Sequence, residues 1–159
     1  MTGQQQVSDD GVMTRIGQAR MLLHGGDREE ARNRFGEIWA QLGPDGDPLH
    51  RCTLAHYMAD AQDDPDTELA WDLRALTAAE GIDGDRQRRQ DSAAALRALY
   101  PSLHLNLAAD YVKLARPDAA RVHLDRARAA SEVLDDDGYG NGVRAAIERL
   151  EVRLRGQRP

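Results

Sequence analysis

The stretch 107–127, LAADYVKLARPDAARVHLDRA, carries the spacing that decides the fold class. Its apolar residues recur three or four positions apart on both sides of Arg116-Pro117-Asp118, which is typical of two amphipathic helices joined by a short turn. Proline suits the first position of a helix, so this tripeptide predicts a helix start. We therefore expect a helical hairpin whose small residues let the two helices approach closely.

Turn and helix-capping residues divide the rest of the chain in the same way. Helices are predicted from about Val12 to His24, after Asp27, after Asp47-Pro48, after Asp64-Pro65 and over Val143–Leu154. Aromatic residues make up only 4% of the chain, which argues against a sheet. The sequence thus predicts an all-α protein: a disordered N-terminus over 1–11, one domain over 12–155 and a frayed tail over 156–159.

Some details are more specific. Asp27 and Glu30 have the spacing of a capping box at the start of the second helix. The fourth helix is expected to bury one face that holds Leu69, Leu73 and Leu76. Trp39 and Trp71 fall beside the main apolar stripes, so they either pack against neighbouring helices or form an outer contact patch.

The spacing of Leu107, Ala108, Tyr111, Ala120 and Leu124 resembles the tetratricopeptide repeat (TPR), a helix–turn–helix of 34 residues. Weaker copies are centred on Ala31 and Leu69, and 43–65 and 100–111 look like small bacterial TPR proteins of unassigned function. The resemblance implies a right-handed superhelix of about three antiparallel helix pairs with Val143–Leu154 as a cap. A helical bundle without repeats is the alternative.

The interval between copies predicts one long helix. Positions 69 and 120 are equivalent and lie 51 residues apart, about 17 more than one repeat. A separate extra helix would reverse the direction of every later helix, whereas an extension would not. We therefore expect a single helix from about Asp85 to Ala115, kinked near Pro101.

In TPR proteins the first helix of each pair lines a concave groove that binds a peptide or protein segment. The resemblance implies such a scaffold or adapter function here. The TPR carboxylate clamp carries Lys or Asn at positions occupied here by Ile16, Cys52 and Leu105, so the resemblance does not extend to that clamp. The groove residues that it implies are Ile16, Arg20, Leu23, Cys52, His56, Asp60, Leu105, Asn106, Ala109 and Lys113.

An alternative function rests on Cys52, His56 and Asp60. Their i, i+4, i+8 spacing places them on one helix face, where Cys and His could hold a metal or act as a nucleophile pair. A zinc site needs three or four protein ligands, and no second ligand pair has suitable spacing. We therefore predict no metal, no cofactor and no catalytic residue, and leave a Cys/His-based or metal-dependent enzyme accessory as the alternative.

Charge and composition bear on the partners. The net charge of −6 argues against a protein that neutralises nucleic-acid phosphates. No apolar run reaches the length of a membrane span, no secretory signal is evident, and a single cysteine allows no intrachain disulfide. These features predict a cytoplasmic protein whose partner is a protein or peptide. Self-assembly is a further alternative, with a homodimer formed through the end of the helical stack or through 85–99.

Overall fold

The computed structural model describes the backbone of residues 2–83 and 90–156 and the side chains of 11–81 and 97–156. This part of the chain contains seven helices and no strand, which confirms the all-α prediction. In chain order the helices are α1 (Thr2–His24), α2 (Arg28–Leu42), α3 (Pro48–Asp60), α4 (Pro65–Asp83), α5 (Gln90–Lys113), α6 (Pro117–Ser131) and α7 (Gly138–Arg155).

Consecutive helices pack against each other along the chain. In addition, α1 contacts α3, α3 contacts α5, and α5 contacts α7. The odd-numbered helices therefore form one continuous layer, and α2, α4 and α6 pack beside it. This order brings side chains from α1, α3 and α5 together although they are far apart in sequence.

Helix starts follow the predicted turn chemistry, with one exception. The Asp47 carboxylate accepts a hydrogen bond from the Leu49 N–H at 2.9 Å, and the Asp64 carboxylate accepts from the Thr67 N–H at 3.1 Å. Asp27 occupies the N-cap position of α2, but its side chain makes no capping bond. Glu30 instead pairs with Arg34 one turn later, at 3.0 Å, so the predicted capping box is wrong.

Helix α5 runs without interruption from Gln90 to Lys113 and includes Pro101. Continuity through the proline was predicted; the predicted start at 85 lies outside the described residues. The Tyr139 hydroxyl of α7 donates to the Ala98 carbonyl at 2.8 Å and lies 2.7 Å from the Ser102 hydroxyl. These contacts hold α7 against α5 beside the proline.

Two helices begin earlier than predicted. Helix α1 starts at Thr2, so the segment predicted to be disordered is helical from its second residue. No glycine or proline separates Gln4 from Asp10, so nothing local stops the helix there. Helix α7 starts at Gly138 instead of Val143, because Asp137 caps it by accepting from the Gly140 N–H at 2.8 Å.

The core consists of three apolar clusters along the stack. The first joins α1, α2 and α3 around Ile16, Ala31 and Phe35, and the last joins α5, α6 and α7 around Ala108, Leu124 and Ile147. The middle cluster joins α3, α4 and α5 and is built mainly from small residues. Its buried members are Cys52, Ala55, Ala75, Ala79 and Leu103.

The buried face of α4 differs from the prediction. Asp72, Ala75 and Ala79 are buried, whereas Leu73 is 39% exposed. Alanine faces let neighbouring helices approach closely, which favours this face over the leucine face. Trp71 packs against Trp39 of α2 edge to face, with ring centroids 5.1 Å apart, so the two tryptophans pack between helices.

Candidate functional site

Six polar side chains lie on α1, α3 and α5, from one odd-numbered helix to the next. We call them the polar row: Arg20, His56, Tyr57, Asp60, Asn106 and Lys113. Five of them were among the groove residues implied by the TPR resemblance, and Tyr57 was not. The row is the candidate site because Arg20 contacts Tyr57 and Asn106 contacts His56 between helices that are distant in sequence. Lys113 belongs to it by its position on α5.

The α1–α3 part of the row is a cation–π contact. The Arg20 guanidinium lies 4.7 Å from the centre of the Tyr57 ring. Such contacts are favourable because the ring face is electron-rich. Arg20 is exposed and Tyr57 is half-buried, so this contact keeps a positive charge at the surface beside an aromatic ring.

The α3–α5 part is a hydrogen bond between Asn106 and His56. The Asn106 side-chain nitrogen lies 3.2 Å from His56 Nδ1. An amide N–H donates in this geometry, so Nδ1 accepts and a neutral ring carries its proton on Nε2. Burial lowers the pKa of His56, while the Asp60 carboxylate opposes that shift. His56 is thus a neutral ring, held across two helices.

Asp60 completes the row at the end of α3. Its pKa is raised mainly because the surrounding protein removes water from the carboxyl, and secondarily Glu68 repels it while His56 and Arg20 attract it. At the end of α5, the Lys113 ammonium lies 2.7 Å from Glu68 Oε1 of α4. Both ends of the row are therefore charged and reach solvent.

Two carboxyl groups beneath this end are buried. Asp72 of α4 is 2% exposed and Asp110 of α5 is 1% exposed, and burial comes first, with hydrogen bonding to Asp110 second, among the causes that raise the pKa of Asp72. Burial raises the pKa of Asp72 to about 11 and that of Asp110 to about 6. Hydrogen bonding between two carboxyl groups requires that one of them keep its proton.

The remaining predicted groove residues have different surroundings. Ile16 and Cys52 are 1% and 0% exposed, so their side chains belong to the core and leave the candidate site. Each faces a neighbouring helix, because the odd-numbered helices pack against each other as well as against the even-numbered ones. Leu23, Leu105 and Ala109 are half-buried against the first and last clusters and border the row.

Within the stripe of Cys52, His56 and Asp60, the structure buries Cys52 in the middle cluster and bonds His56 to Asn106. Burial raises the pKa of Cys52 to about 12, which keeps the thiol protonated at neutral pH, whereas a nucleophile or zinc ligand needs the thiolate. Within the described residues, no group of three or more His, Cys, Asp or Glu side chains is placed to hold a metal ion.

A second set of stacked rings lies between α5 and α6. His104 Nδ1 and His123 Nδ1 are 3.1 Å apart, and Tyr100 and Tyr111 stack on the two outer sides. One imidazole must donate and the other accept, so the accepting ring is neutral. Burial lowers the pKa of His104 to about 4, in keeping with a neutral, packed pair.

Sequence reasoning missed Tyr57, Glu68, Asp72 and Asp110. A usable signal was the i, i+4 spacing of Glu68 and Asp72 on α4 and of Asn106 and Asp110 on α5, which aligns polar groups on one face of each helix. The contacts of Glu68 and Asp72 on α4 with residues of α5 depend on how the two helices cross, and no local sequence signal predicts them.

No family model, curated protein or solved structure matches this chain. In the part of the chain that the structure describes, every helix is too short or too polar to cross a membrane.

Proposed function

We propose that this chain is a TPR-like scaffold that binds a peptide or protein segment along the polar row. In this proposal α1–α2, α3–α4 and α5–α6 are three helix pairs of a right-handed superhelix, and α7 caps the last pair. The first helix of each pair would line the concave side, as the resemblance implies.

The observation that carries the proposal is the polar row itself. Arg20 contacts Tyr57, and Asn106 contacts His56, so three successive first helices contribute to one surface. The contacts from α1 to α3, α3 to α5 and α5 to α7 are those expected when helix pairs stack in one direction.

The row has the chemical variety that peptide recognition uses. Its charged ends, Arg20 and Lys113, flank a neutral histidine and an amide, and the half-buried Leu105 and Ala109 lie alongside. Apolar anchors with a few directed polar contacts are typical of grooves that bind helical or extended segments. The expected partner is a protein, in keeping with the net charge of −6, which disfavours nucleic acid.

A photo-cross-linking experiment tests this function in the lysate of the native host. A photoreactive amino acid replaces Lys113 in the polar row or, as a control, Val122, which is 48% exposed on α6. We expect a discrete protein adduct from position 113 and none from position 122. Adducts only from 122, or none from either position, would refute the proposal.

Charge reversal sharpens the test. Arg20→Glu changes an exposed residue of the row, and Arg149→Glu makes the same charge change on an exposed position of α7. We expect the adduct at position 113 to fall at least about tenfold with Arg20→Glu, the effect of losing roughly 1.4 kcal/mol of binding free energy, and to persist with Arg149→Glu. Equal loss in both variants would indicate non-specific charge attraction instead of a groove.

A further inference from the structure

The carboxyl pair, Asp72 and Asp110, is a buried titratable unit that the proposed function does not use. The two residues lie on different helices and meet where α4 packs against α5. Asp72 Oδ1 and Asp110 Oδ2 are both buried, and no N–H or hydroxyl donor among the residues that the structure describes bonds to either of them. Buried polar atoms are normally satisfied, so two open acceptors at one crossing require an explanation.

The surrounding charges do not neutralise two carboxylates. Asp60 at the end of α3 and Glu68 one turn before Asp72 on α4 add negative charge beside the pair, and hydrogen bonding to Glu68 also raises the pKa of Asp110. Lys113 on α5 is the nearby cation, and its ammonium already pairs with Glu68. The side of α5 that packs on α6 presents the apolar Ala108 and Val112, and its His104, six residues before Asp110, packs on His123 of α6; burial lowers the pKa of both histidines, so this side supplies no cation to the pair.

We propose that Asp72 and Asp110 share one proton and act as a pH-sensitive latch that closes the α4–α5 crossing. The protonated carboxyl donates a hydrogen bond to the ionised one, which joins the helices. Loss of that proton leaves two buried carboxylates in contact with no cation between them, and their repulsion drives α4 and α5 apart. The latch rests on the fold and stands whether or not the polar row binds a partner.

The sign of the pH effect follows from proton linkage. In the unfolded chain both aspartates lose their protons near pH 4, whereas the folded pair retains one. Unfolding of the pair therefore releases a proton at neutral pH, so the contribution of the pair to the free energy of unfolding falls as pH rises above about 4. One retained proton changes the unfolding equilibrium constant by about tenfold per pH unit until the folded pair itself ionises.

Asp72→Asn tests the latch because asparagine imitates a protonated aspartate that cannot ionise. Urea unfolding at pH 5, 6, 7 and 8 is measured for the wild type, Asp72→Asn and Asp125→Asn, whose carboxyl is exposed on α6. We expect the pH profiles of the wild type and Asp125→Asn to run parallel, because the histidines whose pKa values burial lowers contribute equally to both. Relative to the wild type, Asp72→Asn should gain up to about tenfold in the unfolding equilibrium per pH unit and become the most stable of the three at pH 8.

Infrared spectroscopy of the folded protein gives a second readout that does not depend on stability. A protonated-carboxyl stretching band should be present at pH 7 in the wild type and Asp125→Asn and absent in Asp72→Asn. Parallel pH profiles for wild type and Asp72→Asn, or no such band in the wild type, would overturn the proposal.

Discussion

The turns after α1 and α5 have the same pattern of backbone hydrogen bonds and positive φ but different residues. After α1 the Asp27 N–H donates to the Leu22 carbonyl at 2.9 Å, and after α5 the Arg116 N–H donates to the Tyr111 carbonyl at 2.8 Å. Both bonds close a helix end through one residue of positive φ. That residue is Gly26 in the first turn (φ 92°) and Ala115 in the second (φ 58°).

The helix crossings beside these turns are also alike. Ala31, Phe35 and Ile38 are buried on α2, and Ala120, Leu124 and Ala127 are buried at the same spacing on α6. The first crossing is filled by an aromatic ring and the other by a leucine and smaller residues. Two hairpins of one geometry therefore tolerate different residues at equivalent positions, because total volume and a small residue at the closest approach are what the packing requires.

The largest effect should come from the large residue at each crossing. Phe35 is 0% exposed and Leu124 is 4% exposed. We expect Phe35→Ala to lower the free energy of unfolding by about 3–5 kcal/mol and Leu124→Ala by about 2–5 kcal/mol, through lost transfer energy and the cavity left behind. Urea unfolding measures both. A loss below about 1 kcal/mol at either site would show that the two crossings are not equivalent.

At the two turns we expect effects of intermediate size on stability, destabilising at one turn and stabilising at the other. No atom lies within 4 Å of a Cβ built on Gly26, so Gly26→Ala has room and is penalised only by its positive φ. We expect it to cost about 1 kcal/mol, and Ala115→Gly to gain up to about 1 kcal/mol by relieving the same strain. Equal signs for the two substitutions would contradict the equivalence of the turns.

The smallest effect should come from the turn between α3 and α4, which is closed differently. There Arg28 and Arg32 of α2 donate to the backbone carbonyls of Gln62 and Ala61 and to the exposed Asp63 carboxylate. Hydrogen bonds from these arginines hold the pKa of Asp63 below its usual range. Asp63 therefore stabilises the fold above pH 4, and this stabilisation is lost as pH falls through its lowered pKa.

Asp63→Asn removes the charge and keeps the shape. We expect a smaller fall in melting temperature at pH 7 than Gly26→Ala gives, because exposed ion pairs are weak. At pH 2 the difference from the wild type should be smaller than at pH 7. Thermal melts at both pH values check this, and an undiminished difference at low pH would exclude the carboxylate as the cause.

Local signals predicted most helix starts because they act within one turn of chain. Asp47 and Asp64 cap their helices through neighbouring N–H groups, which needs no tertiary partner. The start of α7 was predicted five residues late, because the position of Gly140 depends on close approach to the Asp135 carbonyl. A Cβ there would lie 2.2 Å from that oxygen. The face of α4 was mispredicted for a similar reason, since helix crossing favours Ala75 and Ala79 over Leu73.

The candidate site was predictable in part. The repeat spacing brought Arg20, His56, Asp60, Asn106 and Lys113 into one set. The structure joins Asn106 to His56, places Arg20 and Asp60 beside the same part of α3, and pairs Lys113 with Glu68 of α4. The same spacing included Ile16 and Cys52, which are buried. Helical periodicity gives the direction of a side chain from its own axis, but the neighbouring helix decides whether that direction meets solvent or core.

The sequence by itself determined that this protein is helical, where most of its helices begin and end, and that one helix continues through Pro101. Those properties depend on caps, turns and periodicity, which act over a few residues. Only the tertiary structure decided that Asp72 meets Asp110, that His56 meets Asn106 and that Lys113 meets Glu68. These pairs are 38 to 50 residues apart in the chain, and their contact depends on crossing geometry that side-chain volumes at several interfaces determine together.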